Sequence, residues 1–289
     1  MKDEYVMGID NGGTVTKAAI YDRKGQVLAI ASKSTQMLTP REFHTERSID
    51  ELWAANVEVI KKAIEQSGID ASQIKGVAVT GHGNGLYLVD EEGHPVRNGI
   101  ISTDSRAKEY VERWQRSPEF LTDILPKTMQ SIWAGQPVAL LAWLKDFEPE
   151  TLQKARYIFM VKDLIRFYLT GEAFLELTDI SGTNLINVRD CKYDDELLAW
   201  WELDELRDKL PPIKRSTECC GKITDDVARL TGLCAGTPVS GGVFDISASS
   251  IASGINSLDK MAIVTGTWSI NEYVTDHPVI DKDLFMTSI

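Results

Sequence analysis

Apolar and polar residues alternate at the start of the chain with the period of two that a half-buried strand requires. Residues 6–10 make one such strand, 17–22 a second and 26–32 a third. Between them stand Asn11-Gly12-Gly13-Thr14 and Arg23-Lys24-Gly25, both hairpin-turn signals. The period then changes. Leu52, Ala55, Val59 and Ala63 recur at helical spacing, behind the capping signal Ser48-x-x-Glu51 and ahead of the helix-ending Gly68. Residues 74–80 return to a strand, which runs into the loop Gly81-His82-Gly83-Asn84-Gly85. Residues 86–90 and 96–101 read as a hairpin around Glu91-Glu92-Gly93. From about 105 to 235 the pattern is mostly helical, with helices over 138–147 and 162–170, a stop at Gly171 and a break at Pro211-Pro212. Residues 239–243 read as a buried strand that feeds a short helix over 245–253.

The opening unit then recurs. Residues 260–265 form an apolar strand, Gly266-Thr267-Trp268-Ser269 a turn and 270–275 a returning strand. Two strand–Gly/Thr turn–strand units about 250 residues apart suggest a duplicated α/β domain with a cleft between the copies. The expected division is a first domain over 1–253 and the beginning of a second over 254–289, the chain stopping inside its second half.

The formal net charge of −12 argues against a surface for nucleic-acid backbones, which are bound mainly by Lys and Arg. A nucleotide substrate needs only a local pocket and is not excluded. No apolar run approaches the roughly 20 residues that span a bilayer. Met1-Lys2-Asp3-Glu4 does not read as a secretory leader, and Cys191, Cys219, Cys220 and Cys234 read as reduced thiols. The expected location is cytoplasmic. Exposed strands of an unfinished second domain would offer an edge to another chain, so a homodimer is a further expectation.

Four groups of residues carry candidate chemistry. Asp10 at a strand end, followed by Gly12, Gly13 and Thr14, suits a magnesium-bound phosphate: glycines let backbone N–H groups approach the oxygens, and Lys17 can neutralise charge. The same pattern also describes a plain Asn-Gly hairpin. Asp245 follows Gly241-Gly242-Val243-Phe244, and an aspartate in that position can take a proton from an attacking hydroxyl or simply cap a helix. Gly266 and Thr267 would grip phosphates from the opposite wall, or form an ordinary turn. His82, Asn84, Asp104 and Arg106 are polar groups for a polyhydroxylated ligand, His82 being also an acid–base candidate by its near-neutral ordinary pKa. The alternatives are a solvated loop histidine and a surface salt bridge.

Together these segments resemble the FGGY carbohydrate kinases, a branch of the actin-like ATPases. Gly8-Ile9-Asp10-Asn11-Gly12-Gly13-Thr14 is similar to the family's first phosphate motif, Gly81-His82-Gly83-Asn84-Gly85 to its sugar loop, and Asp104-Ser105-Arg106 to its W-x-D-x-R segment. Gly241-Gly242-Val243-Phe244-Asp245 resembles the strand of the catalytic aspartate, and Gly266-Thr267-Trp268 the second phosphate motif. Gly135-x-Pro137 through Asp146 resembles a family signature. Within the family the likeness is greatest to bacterial L-xylulose kinases. Ser102 replaces the segment's tryptophan, Leu140 the signature lysine and His82 the usual glutamine, which puts the sugar in question more than the chemistry.

The resemblance implies a ribonuclease-H-like domain with a mixed sheet flanked by helices. It implies transfer of phosphate from ATP, with Mg2+, to a ketopentose such as L-xylulose. Asp245 would be the base, Asp10 the metal residue, and Gly12, Gly13, Thr14, Lys17, Gly266 and Thr267 the phosphate ligands. His82, Gly83, Asn84, Asp104, Arg106, Trp133 and Asp245 would contact the sugar. The adenosine-binding segment of relatives is absent, so this chain alone is expected to be inactive. A kinase for polyols such as erythritol or glycerol and an inactive sugar-binding fragment are the alternative readings.

Overall fold

The computed structural model describes residues 3–265, 269–283 and 286–289. Strands β1 (Tyr5–Asn11), β2 (Val15–Asp22) and β3 (Val27–Ser34) form the expected antiparallel meander. Helix α1 (Ile49–Ser67) follows, and the chain returns as β4 (Ile74–Gly81), parallel to β1. Later come α2 (Val161–Thr170), β5 (Cys219–Lys222), β6 (Pro238–Ser240), β7 (Val243–Phe244) and α3 (Asp245–Ala252). The seven strands lie in the order β5-β6-β4-β1-β2-β3, with β7 also paired to β4. The sheet is mixed: β1, β6 and β7 run parallel to β4, whereas β1–β2, β2–β3 and β5–β6 pair antiparallel.

The boundaries of α1 follow from its caps. The Ser48 hydroxyl accepts the N–H of Glu51 at 3.2 Å, and Gly68 ends the helix in the left-handed region at φ 66°. Only half of the expected capping box forms, because the Glu51 carboxylate accepts the N–H of Gln36 instead. The buried stripe Ile49, Leu52, Ala55, Val59, Ile60 and Ala63 faces β2 and β3. Each of its larger side chains contributes about 1.5–3 kcal/mol by leaving water. A second apolar cluster gathers Trp114, Phe120, Leu140, Leu141, Leu197 and Trp201.

Three expectations change. The stretch 105–235 is not simply helical: besides helices such as Lys108–Gln115 and Pro137–Phe147 it holds the short strands Tyr157–Phe159, Leu175–Glu176, Ile186–Asn187, Lys192–Tyr193, Ile213–Lys214 and β5. Strands of two to four residues carry no readable period. The 86–101 hairpin is reduced to bridges: Leu86 and Ile100 exchange two 2.8 Å hydrogen bonds, while Tyr87–Val89 pairs with Tyr157–Phe159 and Gly99–Ile100 with Glu46–Arg47. The strand over 239–243 is broken. Gly242 sits at φ 80°, and a Cβ there would stand 1.9 Å from the Val79 carbonyl oxygen. The chain therefore leaves β6 at Ser240 and rejoins β4 as β7.

The recurring unit is present as an antiparallel hairpin, Met261–Thr265 with Ser269–Tyr273, and among the described residues no third strand joins it. The Ser250 hydroxyl donates to Glu272 at 2.5 Å, and the N–H of Thr287 to the Met129 carbonyl at 3.1 Å.

Candidate functional site

The register of the sheet brings the predicted residues together. Asp10 of β1 lies opposite Thr80 of β4, and Thr80 opposite Val243 of β7; one step on, Asn11, Gly81 and Phe244 are aligned. The C-terminal ends of β1, β4 and β7 thus meet at one edge of the sheet, the place where parallel strands commonly present a ligand site. Asp245 opens α3 just beyond β7. It is the first residue of the helix and not its cap, which is Phe244. Burial, with Asp10 and Glu272 nearby, pushes its carboxyl up to about 7, although the backbone N–H of Ile246 favours the charged form.

The turn after β1 is held from behind by a residue the sequence reading overlooked. Arg47 is buried, and its Nη2 donates to the carbonyl oxygens of Gly12, at 3.0 Å, and Gly13. In a trans peptide the C=O and N–H point in opposite directions. Gripping these two carbonyls therefore turns the N–H groups of Gly13 and Thr14 away from Arg47, as an anion-binding turn needs. A Cβ on Gly13 would meet nothing within 4 Å. Lys17 is half exposed and pairs with Asp10 at 3.4 Å, so it is placed on the same side of the turn. Gly266 and Thr267 lie outside the described residues.

Three loops converge beside these carboxylates. The N–H of His82 donates to the Asn11 carbonyl and that of Gly85 to the Gly135 carbonyl, each at 3.0 Å. A Cβ on Gly83 would fall 2.3 Å from the Phe244 ring, so only glycine lets this loop lie against the residue that precedes Asp245. Gly83 is thus a packing residue in this structure. Asn84 is buried at φ 60°, and its Oδ1 has no hydrogen-bond partner; the indole Nε1 of Trp133 is likewise buried and unpartnered. These are one buried acceptor and one buried donor without a partner.

Two expectations are corrected. His82 is not an acid–base group. Its Nδ1 contacts the Gly83 carbonyl at 3.2 Å and its Nε2 the Tyr87 hydroxyl at 3.1 Å, which assigns the neutral tautomer with the proton on Nδ1. Burial, aided by Arg47, drives its pKa down to about 3. Asp104 is not a free ligand. Its buried Oδ1 accepts the backbone N–H and Nε of Arg106, each at 2.9 Å, and its Oδ2 accepts Thr45 N–H at 2.6 Å and Arg106 Nη2 at 2.8 Å. Arg106 also donates to Glu46 at 2.8 Å, and Glu46 binds Arg97 at 2.5 Å. Arg106 keeps only Nη1 unpartnered. The pair is a buried salt bridge rather than one at the surface.

A buried cluster behind Asp245 was also overlooked. Lys162, Asp163 and Arg166 of α2 meet Glu176 and Asp179 with every side chain out of contact with solvent. Burial holds the Asp179 carboxyl well above the usual range. The available signal was the triplet Lys162-Asp163-x-x-Arg166 inside an otherwise apolar run.

The sequence that builds this arrangement, two carboxylates flanking a glycine turn and a loop carrying unpartnered polar atoms, matches a described family. The family model for the FGGY family of carbohydrate kinases, N-terminal domain, covers residues 5–252. The chain belongs to the FGGY family of carbohydrate kinases. It is 39% identical over 275 residues to a probable L-xylulose kinase of Pasteurella multocida, covering 94% of this chain and 56% of that protein. It is 39% identical over 274 residues to the L-xylulose/3-keto-L-gulonate kinase of Escherichia coli, covering 94% and 54%. The crystal structure of gluconate kinase from Lactobacillus acidophilus superposes with a TM-score of 0.87 at 24% identity, over 95% of this chain and 55% of that one. The FGGY kinase fold is therefore the fold of this chain. The chain spans about half the length of the curated relatives it matches.

Proposed function

We propose that, in a chain of its relatives' length, this site phosphorylates a small sugar from ATP, most simply a ketopentose such as L-xylulose. The observation that carries the reading is Asp245: a carboxylate at a strand–helix junction, raised to about 7, beside Asp10 and the glycine turn. Asp245 accepts the proton of the attacking sugar hydroxyl. Asn84 Oδ1 and Trp133 Nε1 orient the sugar's other hydroxyls. The N–H groups of Gly13 and Thr14 and the ammonium of Lys17 receive the phosphate oxygens. Asp10 fits a magnesium ion, since its carboxylate is one-third exposed and pairs only at 3.4 Å with Lys17. Magnesium, when bound, neutralises charge on the phosphates.

The expected pH dependence follows. Asp245 must be ionised to accept a proton, so kcat/KM rises with pH up to about 7. Below that, activity falls roughly tenfold per pH unit. The neutral His82 adds no step near pH 6.5.

Residues 254–289 fit the beginning of a second domain, because Leu258, Met261 and Ile263 leave apolar surface uncovered. The test is MgATP-dependent ADP release over a panel of ketopentoses, keto sugar acids and polyols. It is run on this chain and on one extended to its relatives' length. Turnover of a keto sugar ahead of glycerol and erythritol is expected; a polyol preference overturns the substrate, and no turnover of any sugar overturns the reaction.

A further inference from the structure

The junction that presents Asp245 is tied to the buried cluster by directed hydrogen bonds, one chain of which ends on the residue before Asp245. Lys162 Nζ lies 2.8 Å from Asp163, 3.3 Å from Glu176 and 3.4 Å from Asp179. Glu176 Oε2 accepts the Thr178 hydroxyl at 2.6 Å, and Oε1 accepts the N–H of Thr178 at 2.9 Å and the Ser216 hydroxyl at 2.7 Å. Thr178 Oγ1 in turn accepts the N–H of Phe244 at 2.9 Å. A hydroxyl has one proton. Here it is committed to Glu176, so a lone pair is left facing Phe244. From the same helix as Lys162, Arg166 Nη1 donates to the Gly241 carbonyl at 2.9 Å and to Asp163 at 2.7 Å. Thr80 holds the Val243 carbonyl at 2.7 Å. Gly241, Val243 and Phe244 are therefore each fixed by a side chain, three of the four residues that lead into Asp245.

Stability is a poor explanation for such a cluster. Withdrawing three carboxylates and two cations from water costs about as much as their pairing returns, and packed apolar residues often do as well. What the cluster supplies is direction.

We propose that Thr178, held by Glu176 and Lys162, is a positioning residue for Asp245. Its hydroxyl anchors the N–H of Phe244 and so fixes where the strand ends and the helix carrying the base begins. The inference rests on Asp245 as the base under the proposed function. It adds a residue that touches neither sugar nor phosphate.

The test compares wild type with Thr178→Val, which keeps the shape and removes the hydroxyl, and Thr178→Ser, which keeps the hydroxyl. In this chain, amide exchange at Phe244 and Asp245 is followed by NMR. Thr178→Val is expected to speed exchange about tenfold or more, and Thr178→Ser to stay near wild type. In the extended chain, Thr178→Val is expected to lower kcat about tenfold or more with the sugar KM within about twofold, and Thr178→Ser to restore it. Unchanged exchange in Thr178→Val, or a Thr178→Ser variant as impaired as Thr178→Val, overturns the proposal. If Thr178→Val does not fold, the wild-type Phe244 amide decides: exchange at the rate of an exposed loop overturns the anchor. The exchange readout uses no nucleotide, so an absence of phosphoryl transfer in wild type counts against the proposed function alone.

Discussion

Two hairpins of one pattern meet different fates in this molecule. β1–β2 and the pair Met261–Thr265 with Ser269–Tyr273 both flank a Gly/Thr sequence, and both pair in antiparallel register. The first is embedded: β4 pairs with β1, β3 with β2, and Ile9 and Ile20 are fully buried. The second stands as a two-stranded unit among the described residues, with Ile263 67% and Met261 54% exposed. A strand–turn–strand pattern thus specifies pairing, whereas burial comes from elements distant in sequence. An isolated hairpin is marginal in water, and three or more strands or a covering helix are needed to hold it.

The strongest way to break the comparison is to delete the same side chain in both hairpins. Ile20→Ala is expected to cost about 3 kcal/mol in urea denaturation, as core truncations do. Ile263→Ala is expected to stay within about 0.5 kcal/mol. Equal losses would mean that the second hairpin is as well buried as the first.

The next effect lies in two carboxyls gathered beside the first hairpin's sheet, Asp245 at the start of α3 and Asp179 in the buried cluster behind it. Asp245 and Asp179 titrate above the ordinary carboxylate range in the folded chain. Between roughly pH 4 and pH 7 the folded chain holds protons that the unfolded chain has lost, so stability falls as pH rises through that window. Asp245→Asn should remove part of this slope, on the order of 2–3 kcal/mol across the window, when urea midpoints are compared at several pH values. A slope unchanged by the substitution would show that Asp245 titrates normally.

A third effect concerns the turn. Arg47→Met removes the guanidinium that grips the Gly12 and Gly13 carbonyls. About 2 kcal/mol of stability is expected to go with it, since hydrogen bonds to charged groups are worth about 1.5–3 kcal/mol. Chemical-shift changes should concentrate at Gly13 and Thr14. The smallest effect is Lys17→Ala. Its pairing with Asp10 is exposed, so the stability change should be within about 0.5 kcal/mol, while affinity for phosphate-bearing ligands falls.

Much of this was legible before the fold was seen, for reasons that differ by region. The meander, α1 with Ser48 and Gly68, and the end of β4 follow from strong local periods and caps. Asp10 and Asp245 were legible because glycines mark both strand ends. The break at Gly242 was not, because it depends on the Val79 carbonyl in a strand far earlier in the sequence. The fates of His82 and Asp104 were hidden for the same reason. Their partners Tyr87 and Thr45 arrive through loop contacts that no spacing announces, as does Glu46, which binds Arg106 beside Asp104. The Lys162 cluster was obscured because its charges sit in an apolar run, where a period-based reading counts them as the solvent face.

Under the proposed function, Asp245 takes the proton in phosphoryl transfer to a sugar hydroxyl. The most direct measurement is the rate of sugar-phosphate formation from MgATP and the preferred keto sugar, by wild type and by Asp245→Asn, in the chain extended to its relatives' length. Asp245→Asn is expected to lose about 10²–10⁴ in kcat with the folded state intact. A variant that turns over within about threefold of wild type would contradict it.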